Sequence, residues 1–405
     1  MTTPPATPPT SPVSTTSPDP ATASATTGSG PRLGFFTRLL EDAPAPDRYR
    51  FALEQVQHAE RVGFTSAWVA QHHFGEHEGG LPSPFVLLAA AAERTTRIGL
   101  GTGVVTLPID DPVRAAEDAA VLDALSGGRV QLGVASGGTD SSFAPFAREV
   151  IDRRELFEDH LAVFLETLEG HGIRGSAARL YPAAGTLAGR VWQGTFSAAG
   201  GARAGARGHG VMLSRTQPRP AANPRAALHE VQLPIVAAYR DALPVRAPYR
   251  VLASRTALVV DEDDRGRALD LARDGLRRLA STFIGADAGD LGIDDLIALT
   301  DTHVGTPEEV TASLAADHTL RLATDVTFQV HSIAATHELT LRSLELLATE
   351  VAPRLGLATG AAASTALHRA HRTDRANRAR AGLHDHLATG EHRVDALAPT
   401  PGGNA

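Results

Sequence analysis

The sequence predicts an α/β protein of the (β/α)8 TIM-barrel class. Between residues 32 and 357, short apolar runs alternate eight times with longer segments of helical period. The short runs are continuously apolar and bounded by glycine or turn residues, as parallel strands buried on both faces are. No G-x-G-x-x-G follows the first run, where an open dinucleotide-binding sheet would place it. A doubly wound open sheet is the alternative.

The elements follow in order. RLGFFT (32–37) is the first strand. Tyr49, Phe51, Leu53, Val56, Ala59 and Val62 then recur at helical spacing, and Gly63 ends that helix as a C-cap residue. SAWVAQ (66–71) is the second strand, followed by a helix over 83–94 with Pro84 in its first turn. RIGLGTGVVTL (97–107) is the third strand. Asp111 caps the next helix, Pro112 opens it, and Ser126-Gly127-Gly128 turns the chain into VQLGVA (130–135). A helix over 153–168 leads to VWQGTF (191–196), and a small-residue helix over 198–207 leads to GVMLS (210–214). A helical segment over 224–239, interrupted by Pro234, precedes YRVLASRTALVV (249–260) and a strong helix over 263–279. Thr306-Pro307-Glu308-Glu309 starts another helix with a cap, a proline and acidic first-turn residues. VTFQVHS (326–332) is the last strand, closed by a helix through Leu347. Segments 140–152, 170–190 and 282–304 lack a period and are expected to shape a lid.

Composition narrows the chemistry. The chain has 405 residues, 42% of them hydrophobic, enough for a sizeable core. A net charge of −8 argues against a binder of nucleic-acid backbone. There is no cysteine, which excludes disulfides, thiol catalysis and zinc–thiolate sites. There is no lysine either, so Schiff-base chemistry and a P-loop lysine are excluded. No apolar run reaches the roughly 18 residues of a membrane span.

Residues 1–31 are read as a disordered Pro/Thr-rich tail, because they bury too little apolar surface to offset their ordering entropy. The barrel domain is 32–357. Residues 358–405 form an Ala/Arg/His-rich tail, flexible or partly helical over 367–387, where His384 and His386 lie on different faces and make a poor metal pair. A secretory leader would need a basic region and an apolar run, and neither is present, so a cytoplasmic protein is expected.

Reactive groups of such a barrel lie at the carboxyl ends of its strands. Gln71, His72, His73, Glu76 and His77 follow the second strand, and Gln329, His331 and Ser332 end the eighth. On an extended strand His72 and His73 would face opposite ways. Ser197-Ala198-Ala199-Gly200-Gly201 opens a helix, whose first amides are suited to a phosphate. Small residues at such a junction also serve tight packing.

The segment FTSAWVAQHHF, the block GTGVVTLPIDDPVRAAEDAAVLDALSGGRVQLGV and VGTPEEV together resemble the bacterial luciferase-like flavin monooxygenase family, over Leu33 to about Leu355. LGFFTRLL, QHHFGEHEGGLPSP and SRTQPRP look most like its FMN-dependent members of unassigned substrate. The resemblance implies that His72 handles protons as general acid/base, with a near-neutral pKa. Gln71 stands where the family holds an acid. The resemblance puts a non-prolyl cis peptide under the flavin at Gly103-Val104. Ala135 replaces a reactive cysteine, and Ser136 a phosphate-binding arginine, with Gly137 beside it. The helix-start phosphate site corresponds to Ser197, Ala198 and Gly200. A flavin phosphate carries close to two negative charges and a helix terminus about half a unit, so an arginine should approach: Arg215, with Arg203 second. Phe36 and Phe196 are the expected substrate contacts.

The function so implied is two-component oxygenation. A separate flavin reductase supplies reduced FMN, and O2 forms a flavin 4a-hydroperoxide that oxygenates a small organic substrate. A deazaflavin-dependent oxidoreductase and a non-catalytic flavin-binding protein are the alternatives. A homodimer is expected through the Ala-rich helices at 86–93 and 115–124.

Overall fold

The computed structural model describes residues 26–27, 30–75, 78–281, 288–330 and 335–360. Its strands are β1 (Thr26–Thr27), β2 (Arg32–Thr37), β3 (Ser66–Val69), β4 (Gly99–Thr106), β5 (Val130–Ala135), β6 (Val191–Gly194), β7 (Gly210–Leu213), β8 (Val251–Val259), β9 (Thr302–Gly305), β10 (Asp325–Gln329) and β11 (Thr359–Gly360). Strands β2 to β8 pair in sequence, all in parallel. β10 pairs with both β2 and β8, with Val326 opposite Leu33 on one side and Ala253 on the other. The sheet therefore closes into a barrel, and the open-sheet alternative is excluded.

All eight strands read from the sequence are staves of this barrel. β9 was not read, because THVG holds a single aliphatic residue, Val304, and so makes no apolar run. It pairs with the far half of β8, from Thr256 to Val259, outside the closed ring. Thr26–Thr27, within the segment read as a tail, pair antiparallel with Thr359–Gly360. Glu76, His77, His331, Ser332 and residues 361–405, with His384 and His386, lie outside the described residues.

Helices follow the strands because their ends are written in capping residues. α1 (Ala45–Val62) stops at Gly63, whose φ of 105° favours glycine. α2 is Pro84–Ala92. In α3 (Pro112–Ser126) the Asp111 carboxylate accepts from the amides of Val113 and Arg114, at 2.8 and 3.1 Å. α4 is Arg153–Leu168 and α5 is Ala198–Ala206. α6 (Leu228–Ala242) begins four residues later than the sequence suggests. Its start is set from outside, where the Leu228 amide donates to Asp301 Oδ1 at 3.0 Å. The remaining helices are α7 (Arg265–Leu279), α8 (Ile293–Thr300), α9 (Pro307–Ala315), α10 (His337–Leu346) and α11 (Ala352–Leu355).

α5 owes its composition largely to packing. A Cβ on Gly201 would lie 2.6 Å from the Ile235 carbonyl oxygen, and one on Gly205 would lie 2.3 Å from that of Tyr239. Backbone therefore meets backbone where α5 crosses α6.

Inside the barrel, Trp68 and Trp192 meet edge to face at 5.8 Å over Met212 and Leu252. Gly101 and Gly210 make room for them, since a Cβ at either would come within 2.2 Å of an indole carbon. This plug fills the barrel beneath its mouth.

Buried histidines make the fold acid-sensitive. His209 accepts from the Gln193 amide at 2.9 Å, and burial, aided by Arg250 and Arg207, lowers it to about 4. His303 sits 2.8 Å from the Ser313 hydroxyl, and burial with Arg255 lowers it to about 4. Each ring binds a proton more readily in the unfolded chain than in the fold. Stability is thus full above the ordinary value near 6.5 and falls as pH drops from there toward 4. At pH 5 the loss is about 2 kcal/mol per ring. Denaturant titrations should show stability falling from pH 7 to 5, with a shallower slope in His303→Gln. A parent whose stability is flat across that range would contradict the assignment.

Gly101→Ala should destabilise by about 1–3 kcal/mol, because the Trp68 indole must shift in a filled core. Thermal unfolding is the measurement, and a midpoint equal to the parent's would show that the indole has room to move.

Candidate active site

A cavity of about 860 Å³ opens at the carboxyl ends of the barrel strands, above the tryptophan plug. It contains Phe36, His72, Gly103, Val104, Ser136, Gly137, Phe196, Ser197, Gly200 and Arg215 among its lining residues. Of the site residues expected from sequence, only Ala198 is not in the lining. Of the three segments expected to shape a lid, only 140–152 reaches the cavity, through Ser142 and Ile151, among the described residues.

One pole is the start of α5. Ser197 is extended, with φ −138° and ψ 149°, and its hydroxyl accepts from the Gly200 amide at 3.1 Å. The Ser197 amide donates to Thr195 Oγ1 at 3.2 Å. A Cβ on Gly200 would lie 1.9 Å from that same Oγ1, so the tight turn requires glycine. The amides of Ala198 and Ala199 have no acceptor among the described residues. They leave partial positive charge at the helix end. Arg203 borders this pole and pairs with Glu158 at 3.1 Å. Glu158 also holds Arg207, at 2.6 Å. Arg154, four residues before Glu158 on α4, is exposed at the rim and has no acidic partner among the described residues. Arg153 donates to the Gly137 carbonyl at 3.2 Å and pairs with Asp140, fixing the loop after β5.

The middle is apolar. Phe36, Val104, Met212 and Leu252 form its walls. The Gly103–Val104 peptide is cis, as the family resemblance implies. A Cβ on Gly103 would come 2.6 Å from the Phe36 ring, so glycine lets that ring lie against the strand.

The other pole is basic and buried. Arg38, at the end of β2, is 7% exposed, and its Nη2 donates to the Glu78 carbonyl. Burial lowers Arg38 to about 10 against the opposing pull of Glu78. Arg215, 8% exposed, donates from Nε to Gln329 Oε1 on β10, two strands around the ring from β7. Sequence reasoning placed Arg215 at the phosphate; its guanidinium instead reaches toward Gln329, where Arg38 and His72 are its charged and titratable neighbours. Arg38 and Gln329 were not chosen as site residues. Their only signal was position, each at the carboxyl end of a strand.

His72 lies between these groups. Burial, then Arg38, His73 and Arg215, push it down to about 3. The near-neutral value expected from sequence is therefore corrected: at pH 7 the ring is neutral and can donate from one nitrogen and accept at the other. His73 lines the cavity too, because the strand ends at Val69 and side-chain alternation ends with it. Its ring stands edge-on to Phe146 at 4.9 Å. Gln71 acts as a clamp. Its Oε1 accepts from the Thr106 amide at 2.7 Å, and its Nε2 donates to Asp110 and to the Pro82 carbonyl, each at 3.3 Å. A carboxylate at position 71 would face Asp110, whose own carboxyl is already raised by burial.

A closed parallel barrel with a cavity at the carboxyl ends of its strands is the arrangement of a (β/α)8 enzyme. A family profile described as luciferase-like monooxygenase matches residues 32–324, and the chain belongs to that family. It is 30% identical to limonene 1,2-monooxygenase of Rhodococcus erythropolis over 315 residues, 74% of this chain and 80% of that protein. Other curated relatives align over about a third of their length, among them 4-hydroxyprotoasukamycin monooxygenase of Streptomyces nodosus subsp. asukaensis, 39% identical over 118 residues and 32% of its length. Among solved structures, monooxygenase RslO1 from Streptomyces bottropensis matches with a TM-score of 0.65 and 25% identity, covering 80% of this chain and 99% of that one. The oxygenating constituent of 3,6-diketocamphane monooxygenase from Pseudomonas putida, in complex with FMN, shares the fold at TM-score 0.64 and 18% identity, over 81% and 99% of the two chains. An F420-dependent secondary alcohol dehydrogenase does so at 0.60 and 17%, over 81% and 99%.

In the ligand-free protein the His72 ring should stay neutral from neutral pH down to about pH 4, read from its imidazole C–H resonances by NMR. Arg38→Gln should raise its value, because a cation leaves while burial stays. A His72 resonance titrating near 6.5 in the parent would show the ring to be solvated.

Proposed function

We propose that this protein is an FMN-dependent monooxygenase that receives reduced FMN from a separate flavin reductase and oxygenates a small organic substrate with O2. The α5 terminus carries this reading: it offers Ser197 and unused amides to a phosphate, beside an apolar space large enough for a ring system. Bound reduced FMN would supply the electrons that activate O2.

The chain's own residues would do the rest. Ser197 and the amides of Ala198 and Ala199 hold the phosphate, with Gly200 shaping the turn and Ser136 and Gly137 beside them. Arg154 and Arg203 add the charge that a helix end lacks. Gly103, Val104 and Phe36 wall the ring, and Phe36 with Phe196 meets the substrate. The tryptophan plug closes the cavity to water from below. His72 takes up a proton at its free nitrogen when negative charge enters the cavity, because that charge offsets Arg38 and Arg215. The need for a partner reductase fits a cytoplasmic protein. Val86, Val121 and Leu125 stay exposed on α2 and α3 and suit a homodimer face.

Ser197→Asp keeps a good N-cap but sets a negative charge against the phosphate. It should weaken FMN binding about tenfold while leaving riboflavin, which has no phosphate, within about twofold. Anaerobic titration followed by flavin fluorescence reads both. Equal weakening of both flavins would remove the phosphate from α5. The F420-dependent neighbour of the same fold motivates a second reading. Oxidation of reduced F420 by the protein, with no oxygen-dependent product from reduced FMN, would favour it.

A further inference from the structure

Arg215, in the buried basic pole, has no counter-charge among the described residues. Arg215 has one hydrogen-bond partner among the described residues, the neutral side chain of Gln329, and no carboxylate lies within ion-pair reach of it. The charge that acts on it is another cation, Arg38. Arg38 donates to the Glu78 carbonyl and also feels the charge of that residue's side chain. Gln329 is fully buried and its Nε2 has no acceptor, although the residue faces the cavity. His72 adds a neutral ring with a nitrogen free to donate.

A cation removed from water without a partner is costly, and so is a buried amide donor left unmade. Both costs fall on the same wall of the same cavity. The groups there are donors: two guanidiniums and one amide N–H. Such a set is complementary to a group that only accepts, and a guanidinium fork matches a carboxylate in two parallel hydrogen bonds. The apolar walls of Phe36, Val104, Met212 and Leu252 begin immediately beside it.

We propose that Arg215, with Arg38 and the Gln329 amide, receives the carboxylate of the organic substrate, so that the substrate class is a monocarboxylic acid with an apolar, ring-sized body. Calling this occupant the substrate rests on the monooxygenase reading above; the anion site itself does not. A reduced flavin ring is also an anion, but its single charge is spread over a heterocycle, and the helix-terminus pole already accounts for the phosphate.

The test uses the full-length protein without flavin and two probes of equal shape, cyclohexanecarboxylate and cyclohexanecarboxamide, by titration calorimetry. The carboxylate should bind the parent at least about tenfold more tightly than the amide. Arg215→Gln should abolish the preference, and Arg215→Lys should retain part of it, since the charge stays and the fork is lost. Arg215→Gln should melt at or above the parent's temperature, because it removes an unpaired buried charge, and this establishes that the variant is folded. Equal affinity for acid and amide in the parent, no acid binding at millimolar concentration, or a preference that survives Arg215→Gln overturns the proposal.

A second arm separates the two sources of negative charge. Reduced FMN should bind parent and Arg215→Gln within about twofold of each other. A loss confined to reduced FMN, with oxidised FMN unaffected, would assign the pole to the flavin ring and overturn the proposal. If the acid is preferred but no form of FMN binds, the monooxygenase reading fails and the anion site stands.

Discussion

The fold depends on one strand having two neighbours. Asp325–Gln329 takes hydrogen bonds from the first barrel strand and from Val251–Val259 at once, which turns a sheet into a closed ring. Closure removes the exposed edges and brings the carboxyl ends of every stave around a common opening. Gln329 ends that strand, so the element that closes the ring also delivers the amide that meets Arg215. Without closure, Arg38, His72 and Arg215 would belong to different regions of a surface.

Strands, helices and caps were legible because each is a local pattern. Apolar runs bounded by glycine marked the staves, and Asp111-Pro112 and Thr306-Pro307 marked helix starts that their side chains indeed cap. β9 was illegible for the same reason: Thr302–Gly305 has only Val304 as an aliphatic residue and is defined by its partner, β8. The start of α6 was displaced because its cap, Asp301, lies 73 residues away in sequence.

The site was half legible. Strand-end position and family resemblance brought His72, Gly103 and Ser197 together in one list, and the cavity unites them. What position does not tell is direction. Arg215 was placed by its neighbour in sequence, the loop after β7, yet its side chain runs to β10. The His72 pKa was misjudged because an imidazole's ordinary value presumes water, whereas here burial, then Arg38, His73 and Arg215, set it. The glycines of α5 divide between two tasks: Gly201 and Gly205 admit α6, while Gly200 shapes the turn at the cavity. Only the packed structure separates them.

The contact of α5 with α6 bears on how such a pocket changes over time. The helix end is held by main chain resting on main chain, at the carbonyls of Ile235 and Tyr239. Side chains elsewhere around the opening therefore vary without dragging that anchor. One part of the mouth keeps a fixed address, and the remainder is left at liberty to follow whatever molecule the chain is selected to transform.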